Sequence, residues 1–285
     1  MKKLLLILFC MPMIGFGQQL TYVPDDNFEQ ALINLGYDGV LDNYIYTSMA
    51  NTITDLTIYG SGPGGSAVGQ IYDLTGIEDM PITHLELYNL DSISSMDFSM
   101  LPDLIYLKLL GFDELETINI SNNLNLVEIN LIHASSLLSI DVSNNLNLKR
   151  IQITYSPISS LDLSNNPLYG GFSGVNLQYN TNLSSLNLRN GYNTYMNPPY
   201  MNGNSQLYCI DVDDWEYSLL NWGFVEPQIT YSNNCSSGTD INDYQQNRKI
   251  YKVTNLLGKE TKGIKNEFLF YIYDDGTVEK RIVIE

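Results

Sequence analysis

The sequence is poor in the residues from which most catalytic and metal sites are built. Its 285 residues include only 2 His, 3 Cys and 2 Trp. No Cys or His takes metal-ligand spacing and no Gly-x-Ser-x-Gly elbow occurs. His84 and His133 sit too far apart in the repeat pattern for a shared metal or a Ser-His-Asp arrangement. Cationic residues are also scarce: 14 Lys+Arg face 32 Asp+Glu, a formal net charge of −18. That balance excludes general binding to a nucleic-acid backbone. Long apolar runs are confined to the first residues. There MKKLLLILFCMPMIGFGQ has a basic start at Lys2 and Lys3, an apolar stretch, then Gly15 and Gly17. This reads as a secretory signal peptide over 1–18, too short for a membrane span, and no transmembrane span is expected beyond it. Leu-Phe before Cys10 lacks the small residue expected ahead of a lipidated cysteine. Its removal leaves Cys209 and Cys235, a pair that in an exported chain favours a disulfide over a metal site or a reactive thiol.

What the chain has in quantity is a repeat. LETINISNNLNL, LLSIDVSNNLNL and ISSLDLSNNPLY follow one another between 115 and 169. Each reads Leu/Ile-x-x-Ile/Leu-x-Val/Ile/Leu-x-x-Asn, as in Leu115, Ile118, Ile120, Asn123; Leu137, Ile140, Val142, Asn145; and Ile158, Leu161, Leu163, Asn166. A period of about 22 residues marks a solenoid, in which no repeat buries its apolar face alone. Halfway along each coil lies a second rung of the same shape: YLKLLGF, EINLIHA, RIQITYS. Along each rung the alternate apolar residues point inward and the others outward. Asn123, Asn145 and Asn166 are expected to turn inward as a structural ladder, bonding the backbone amides where each rung ends.

The outward positions fall into two kinds. On the rung ending in Asn they barely vary: Asp97, Asn119, Asp141, Asp162, with Ser99, Ser121, Ser143 and Ser164 beside them. On the alternate rung they differ at each coil: His84, Tyr106, Glu128, Arg150, and then Glu86, Lys108, Asn130, Gln152. A uniform column is what turn-building residues give, and a varied, aromatic and charged column is what a recognition surface gives. These eight are the candidate ligand-facing residues. The pattern alone leaves open which column is concave, and drift of exposed positions would give the same variety. No catalytic residues, metal or cofactor are expected. Asp211, Asp213 and Asp214 cluster oxygens of the kind calcium takes, without the EF-hand pattern.

The flanks differ from the repeats. In QLTYVPDDNFEQALINLGYDGVLDN, Asp26 with Glu29 forms a capping box, Phe28, Ala31, Leu32 and Leu35 share a helical face, and Gly36 is the stop. GSGPGGS at 60–66 is an inserted loop, with no Lys-Ser/Thr to make it a phosphate cradle. Residues 189–206 break the period with Gly, Pro and Asn and are expected as a loop. CIDVDD then resumes one last rung, and YSLLNW is a short helix with Trp215 and Trp222 nearby. After SSGTD the charge balance shifts. Residues 19–239 hold 4 Lys+Arg and 24 Asp+Glu, whereas 240–285 hold 8 of each. This marks a domain boundary. The tail reads as a strand at KIYKVTN, a turn at Leu257-Gly258-Lys259, and a hairpin turning at Asp275-Gly276.

The repeat resembles the bacterial leucine-rich repeat. The run 19–43 with LTGIEDM, and CIDVDD with Asn-Trp and the distal Asn-Asn-Cys, resemble the two caps of secreted repeat proteins in bacteria that use type IX secretion. KVTNLLGKE followed by LFYIYDDGTVEKRIVI is similar to the carboxy-terminal sorting signal of type IX cargo. The resemblance implies a leucine-rich-repeat solenoid of short parallel strands with few helices, capped at both ends, and a small β-rich tail. Its expected divisions are a signal peptide at 1–18, a helical cap at 19–52, repeats at 53–207, a second cap at 208–236, a linker at 237–243 and a sorting signal at 244–285. The competing fold is a parallel β-helix, with three sheets per coil. Functionally the chain is expected to be a secreted or surface-held binding protein for an external protein or glycan, not an enzyme. Its other partner would be the type IX machinery. The alternatives are a secreted carbohydrate-active enzyme with a cleft near the second cap, and a calcium-dependent adhesin.

Overall fold

The computed structural model describes residues 19–60, 69–169, 174–222, 226–235, 250–255, 258–261, 268–273 and 278–282. The expected signal peptide, residues 61–66 of the Gly-rich loop, the linker and the Asp275-Gly276 turn lie outside them. The chain divides into two units, 1–233 and 234–285.

The first unit opens with β1 (Leu20–Tyr22), α1 (Asp26–Asn34) and β2 (Tyr44–Tyr46), with β1 antiparallel to β2. The cap of α1 is Asp25, one residue ahead of the expected Asp26. Its carboxylate accepts the amides of Asn27 at 2.9 Å and Phe28 at 3.0 Å, and its other oxygen takes those of Tyr72 and Asp73. Glu29 does not reach back to the cap. It is fully buried and accepts the amides of Asp42, Asn43 and Tyr44. A buried carboxylate must be hydrogen-bonded, and three amides entering β2 outweigh the one a capping box offers. Phe28, Ala31 and Leu32 point into the core, but Leu35 is 44 % exposed because it already sits at the helix end. Gly36, at φ 84°, turns the chain there, and Gly36 N and Tyr37 N donate to the carbonyls of Ile33 and Leu32.

After α2 (Thr47–Ala50) the strands alternate between two faces of a solenoid. In chain order they are β3 (Asp55–Tyr59), β4 (His84–Tyr88), β5 (Ser95–Asp97), β6 (Tyr106–Leu110), β7 (Thr117–Asn119), β8 (Glu128–Ile132) and β9 (Arg150–Thr154). There follow β10 (Ser160–Asp162), β11 (Val175–Asn176), β12 (Ser185–Leu188), β13 (Cys209–Val212), α3 (Trp215–Asn221) and β14 (Thr230–Ser232). One face is a single parallel sheet in the order β11-β9-β8-β6-β4-β3; the other carries β5-β7 and β10-β12-β13-β14. Two strand columns per coil, rather than three, make this a leucine-rich-repeat solenoid of about 22-residue coils. Leu85 and Leu87, Leu107 and Leu109, Ile129 and Leu131, Ile151 and Ile153 stack inside at 0–1 % exposure. Each such side chain contributes about 1.5–3 kcal/mol by leaving water.

Two expectations about the carboxy-terminal coils need correction. Residues 189–206 are not simply a loop. Tyr200 bridges Asn176 in parallel, Leu177 N donates to Tyr200 O and Tyr179 N to Asn202 O, and Met196, Met201 and Leu207 are buried. The coil therefore continues through Pro198 and Pro199, whose missing N–H groups reduce the rung to one bridge. Nor is CIDVDD the last rung, because β14 pairs with β13 beyond it. Asp214 caps α3 by accepting Tyr217 N, and Trp222 is buried edge-on to Tyr231 at 5.6 Å. Cys209 and Cys235 are disulfide-bonded.

The second unit is an antiparallel sheet of β15 (Ile250–Asn255), β16 (Phe268–Tyr273) and β17 (Val278–Ile282), in that order. Gly258 has φ 73° and its N–H donates to Asn255 O, while Lys259 N donates to Asn255 Oδ1. Leu269 and Tyr273 are its buried apolar side chains among the described residues.

Candidate functional site

The inward Asn residues are framework. Asn123, Asn145 and Asn166 have no exposed surface, and each Nδ2 donates to two carbonyls of the preceding coil. The pairs are Phe98 and Leu101, Ile120 and Asn123, and Val142 and Asn145. The expected partners were backbone amides; the actual ones are carbonyls, because each rung ends in a turn that leaves its carbonyls without a ladder donor. The three Oδ1 atoms have no hydrogen-bond partner among the described residues. A further buried pair continues the device on the other face. Asn180 donates to Ile153 O and Asn204 to Leu177 O, while their Oδ1 atoms take Ser156 N and Asn180 N.

The uniform column is absorbed by local turns. Asp97, Asn119, Asp141 and Asp162 each accept, through Oδ1, the backbone amide two residues on: Ser99, Ser121, Ser143 and Ser164. The side chain and amide of Ser99 hold Asp97 below the usual carboxylate range, and those of Ser143 do the same for Asp141. A shallow recess of about 250 Å³ lies where Ser139, Asp141, Ser143, Ser160, Asp162 and Ser164 meet, at the rung between β7 and β10. Its carboxylates are already engaged by those turns. Asp213 and Asp214 likewise accept Gly191 N and Tyr217 N, and among the described residues no group of three His, Cys, Asp or Glu is placed to hold a metal.

The varied column lies on the six-stranded sheet. Register places His84, Tyr106, Glu128 and Arg150 side by side, and Glu86, Lys108, Asn130 and Gln152 side by side two residues along. All eight project from one face. Ion pairs tie neighbouring coils: Arg150 to Glu128 at 2.7 Å and Lys108 to Glu86 at 3.9 Å. His84 stacks on Tyr106 at 5.9 Å and lies 3.5 Å from Asp55. Asn130 donates to Glu128 and is the most buried of the eight, at 9 % exposure. Lys108 also sits 5.0 Å over the Tyr88 ring, and Tyr88 donates to Glu86 and stacks on Tyr59 at 4.6 Å. The hydrogen bond with Tyr88 raises the Lys108 pKa; burial, then Glu86, raises that of Tyr88.

Sequence reasoning missed the residues bordering this face. From β4 onward the coils of this sheet reach, past the strand, a position with positive φ: Asn89 (55°), Gly111 (74°), His133 (57°), Tyr155 (57°), Tyr179 (60°) and Gly203 (86°). Gly and Asn are the usual occupants of such positions, and a strained conformation of this kind costs an ordinary residue about 1–3 kcal/mol. Here His133, Tyr155 and Tyr179 hold it in succession, with rings stacked at 4.4 and 4.7 Å and nearly parallel. The Asn and Gly at 89, 111 and 203 were the available signal, since their spacing runs through these three aromatics.

Neither a protein-family model nor a curated protein matches the chain. Among solved structures it is similar to an internalin, InlF of Listeria monocytogenes, at 16 % identity over 69 % of this chain and 73 % of that one, with TM-score 0.35. It is also similar to the functional domain of InlJ of Listeria monocytogenes, described as including a cysteine ladder. That match has 17 % identity over 75 % of this chain and 70 % of that one, with TM-score 0.21.

Proposed function

We propose that this chain is a secreted or surface-held binding protein, without catalysis, that holds an external protein or glycan on the outward face of its six-stranded sheet. One observation carries the reading: the two outward columns are employed differently. The Asp/Asn–Ser column is consumed by backbone turns, coil after coil, whereas the varied column is tied sideways between coils by ring stacking and ion pairs, His84 on Tyr106, Lys108 with Glu86 and Arg150 with Glu128. Ion pairs between coils pre-order that face, which lowers the entropy lost on binding. The formal charge of −18 steers it toward neutral or cationic partners.

The route outward is part of the proposal. The signal-peptide pattern at 1–18 would carry the chain across the inner membrane, and the segment 244–285, with its three-stranded sheet, would serve as the type IX sorting signal. Among the described residues no helix is long and apolar enough to cross a membrane. An array of extracellular proteins and polysaccharides, probed with the native chain and with Tyr106→Ala, Lys108→Ala and Arg150→Ala, tests the binding face. Binding that survives all three changes removes this face from the proposal, and hydrolysis of an arrayed polysaccharide removes the claim of no catalysis.

A further inference from the structure

The aromatic column at the strand ends carries the reading one step further. His133, Tyr155 and Tyr179 occupy backbone positions where their own column elsewhere has Asn or Gly. Strained positions persist where something other than the local backbone selects the side chain. Core packing is not the selector, because Tyr155 is 45 % exposed and Tyr179 46 %. The stack is covered at its Tyr179 end: a Cβ placed on Gly203 would lie 2.6 Å from the Tyr179 ring, so backbone closes that side. At the other end the next coil contributes Gly111, which has no side chain of its own; Asn89 fills that tier, its Oδ1 lying against the place where a Gly111 Cβ would stand.

The surroundings name the chemistry. The segments 129–133, 151–155 and 175–179 contain no Asp, Glu, Lys or Arg, in a chain with 32 acidic residues. What stands beside the ladder is amide: Gln152, Asn176 and Gln178, each half-buried. The charges of the sheet face are paired with one another: Arg150 with Glu128 at the amino end of the strands, and Lys108 with Glu86 at mid-strand, two coils before Gln152 in the same row. Rings and hydroxyls bordered by primary amides, without charge, match a neutral sugar polymer. Pyranose C–H faces pack on aromatic carbon, and amides pair with hydroxyl groups. A polyanion would find no cation in these three segments, and the carboxylate of Asp113, near the His133 end, already accepts the hydroxyl of Ser135.

We infer that the His133–Tyr155–Tyr179 ladder with the adjoining Gln152, Asn176 and Gln178 is a binding site for a neutral polysaccharide. This rests on the proposed binding role and narrows it to one ligand class and one edge of the sheet.

The test is affinity electrophoresis and titration calorimetry of the mature full chain. The probes are a soluble β-glucan, a xyloglucan and a galactomannan, with alginate as the anionic control. Binding to at least one neutral polymer and none to alginate is expected. Tyr155→Gly and Tyr179→Gly should each weaken binding at least about tenfold, or ~1.4 kcal/mol. Melting should not fall, because glycine accepts positive φ freely; if either variant melts earlier, Tyr155→Asn and Tyr179→Asn, which also tolerate that conformation, carry the same expectation. Absence of binding to every neutral polymer overturns the inference, as does affinity unchanged in the aromatic variants. If those variants bind normally while Lys108→Ala and Arg150→Ala do not, the ladder is excluded and the broader binding face stands. Binding of a protein alone excludes the glycan class.

Discussion

Replacing Asn145 tests the internal framework most directly. Its Nδ2 donates to Ile120 O at 3.1 Å and Asn123 O at 2.9 Å, and the residue is fully buried. Asn145→Ala removes both bonds, each worth about 0.5–1.5 kcal/mol net, and leaves the two carbonyls only their turn bonds from Asn123 N and Leu126 N. With the small cavity added, a loss of about 2–4 kcal/mol is expected. Asn145→Asp keeps the shape and loses the donor. At neutral pH it sets a carboxylate against two carbonyl oxygens, so its folded-state pKa must rise above its unfolded one. The sign follows: the folded state then holds the proton more tightly, so the deficit relative to the native chain is greatest at pH 7 and shrinks as pH falls below that raised pKa. Urea unfolding at pH 7 and pH 5, read as the difference from the native chain at each pH, measures both effects. Asn145 O is itself the acceptor for Asn166 Nδ2, so Asn145→Ala with Asn166→Ala should be non-additive. A loss below about 1 kcal/mol for Asn145→Ala, or an Asp variant as stable as the native chain at pH 7, would refute the ladder's energetic role.

Other measurements bear on the remaining elements. Ile129→Ala, at a fully buried position, should cost about 2–5 kcal/mol; a cost near zero would contradict the register of the six-stranded sheet. Replacing Cys209 and Cys235 together by Ser should cost about 3–4 kcal/mol, the entropic value for a loop of roughly this length, and non-reducing peptide mass spectrometry should recover the pair linked. In carbon-detected titration, Asp141 should ionise below an ordinary aspartate, and Ser143→Gly should move it only part of the way back up, because the amide of residue 143 remains. Stability from that depressed carboxylate is present above the unfolded-state value and is lost as pH falls through the folded one. Deleting 240–285 should leave the repeat domain folded but retained in the periplasm, as cell fractionation would show; arrival of the truncated chain at the surface would remove the sorting role.

What the sequence made legible was whatever recurs because stacking compels it. Inward Leu and Ile alternate along every rung, so the solenoid can be read from Leu107, Ile129 and Ile151 without their neighbours. The Asn at the rung's end is equally visible, since each coil needs one donor at the same corner. Elements that depend on a single partner coil escaped. Asp25 outcompetes Asp26 as the helix cap because Tyr72 and Asp73, distant in sequence, present their amides to it. Glu29 is claimed by the chain at 42–44 for the same kind of reason. The rung through Tyr200 hides behind two prolines and is held by the register of Asn176.

The aromatic ladder was hidden for a different reason. Backbone conformation is written in a sequence only where it excludes residues, and a tyrosine normally signals strand or core. At 155 and 179 it does neither, because coil closure imposes positive φ at that corner whatever residue stands there. Glycine and asparagine at 89, 111 and 203 accept the corner at little cost. The stack recovers part of the strain through ring contact at 4.4 and 4.7 Å, which only adjacent coils can supply. Had stability alone governed this column, glycine or asparagine would serve at all six positions. Aromatics at three successive coils, exposed and bordered by amides, are thus the observation on which the proposed polysaccharide site rests, at an edge that the periodic pattern passes through without marking.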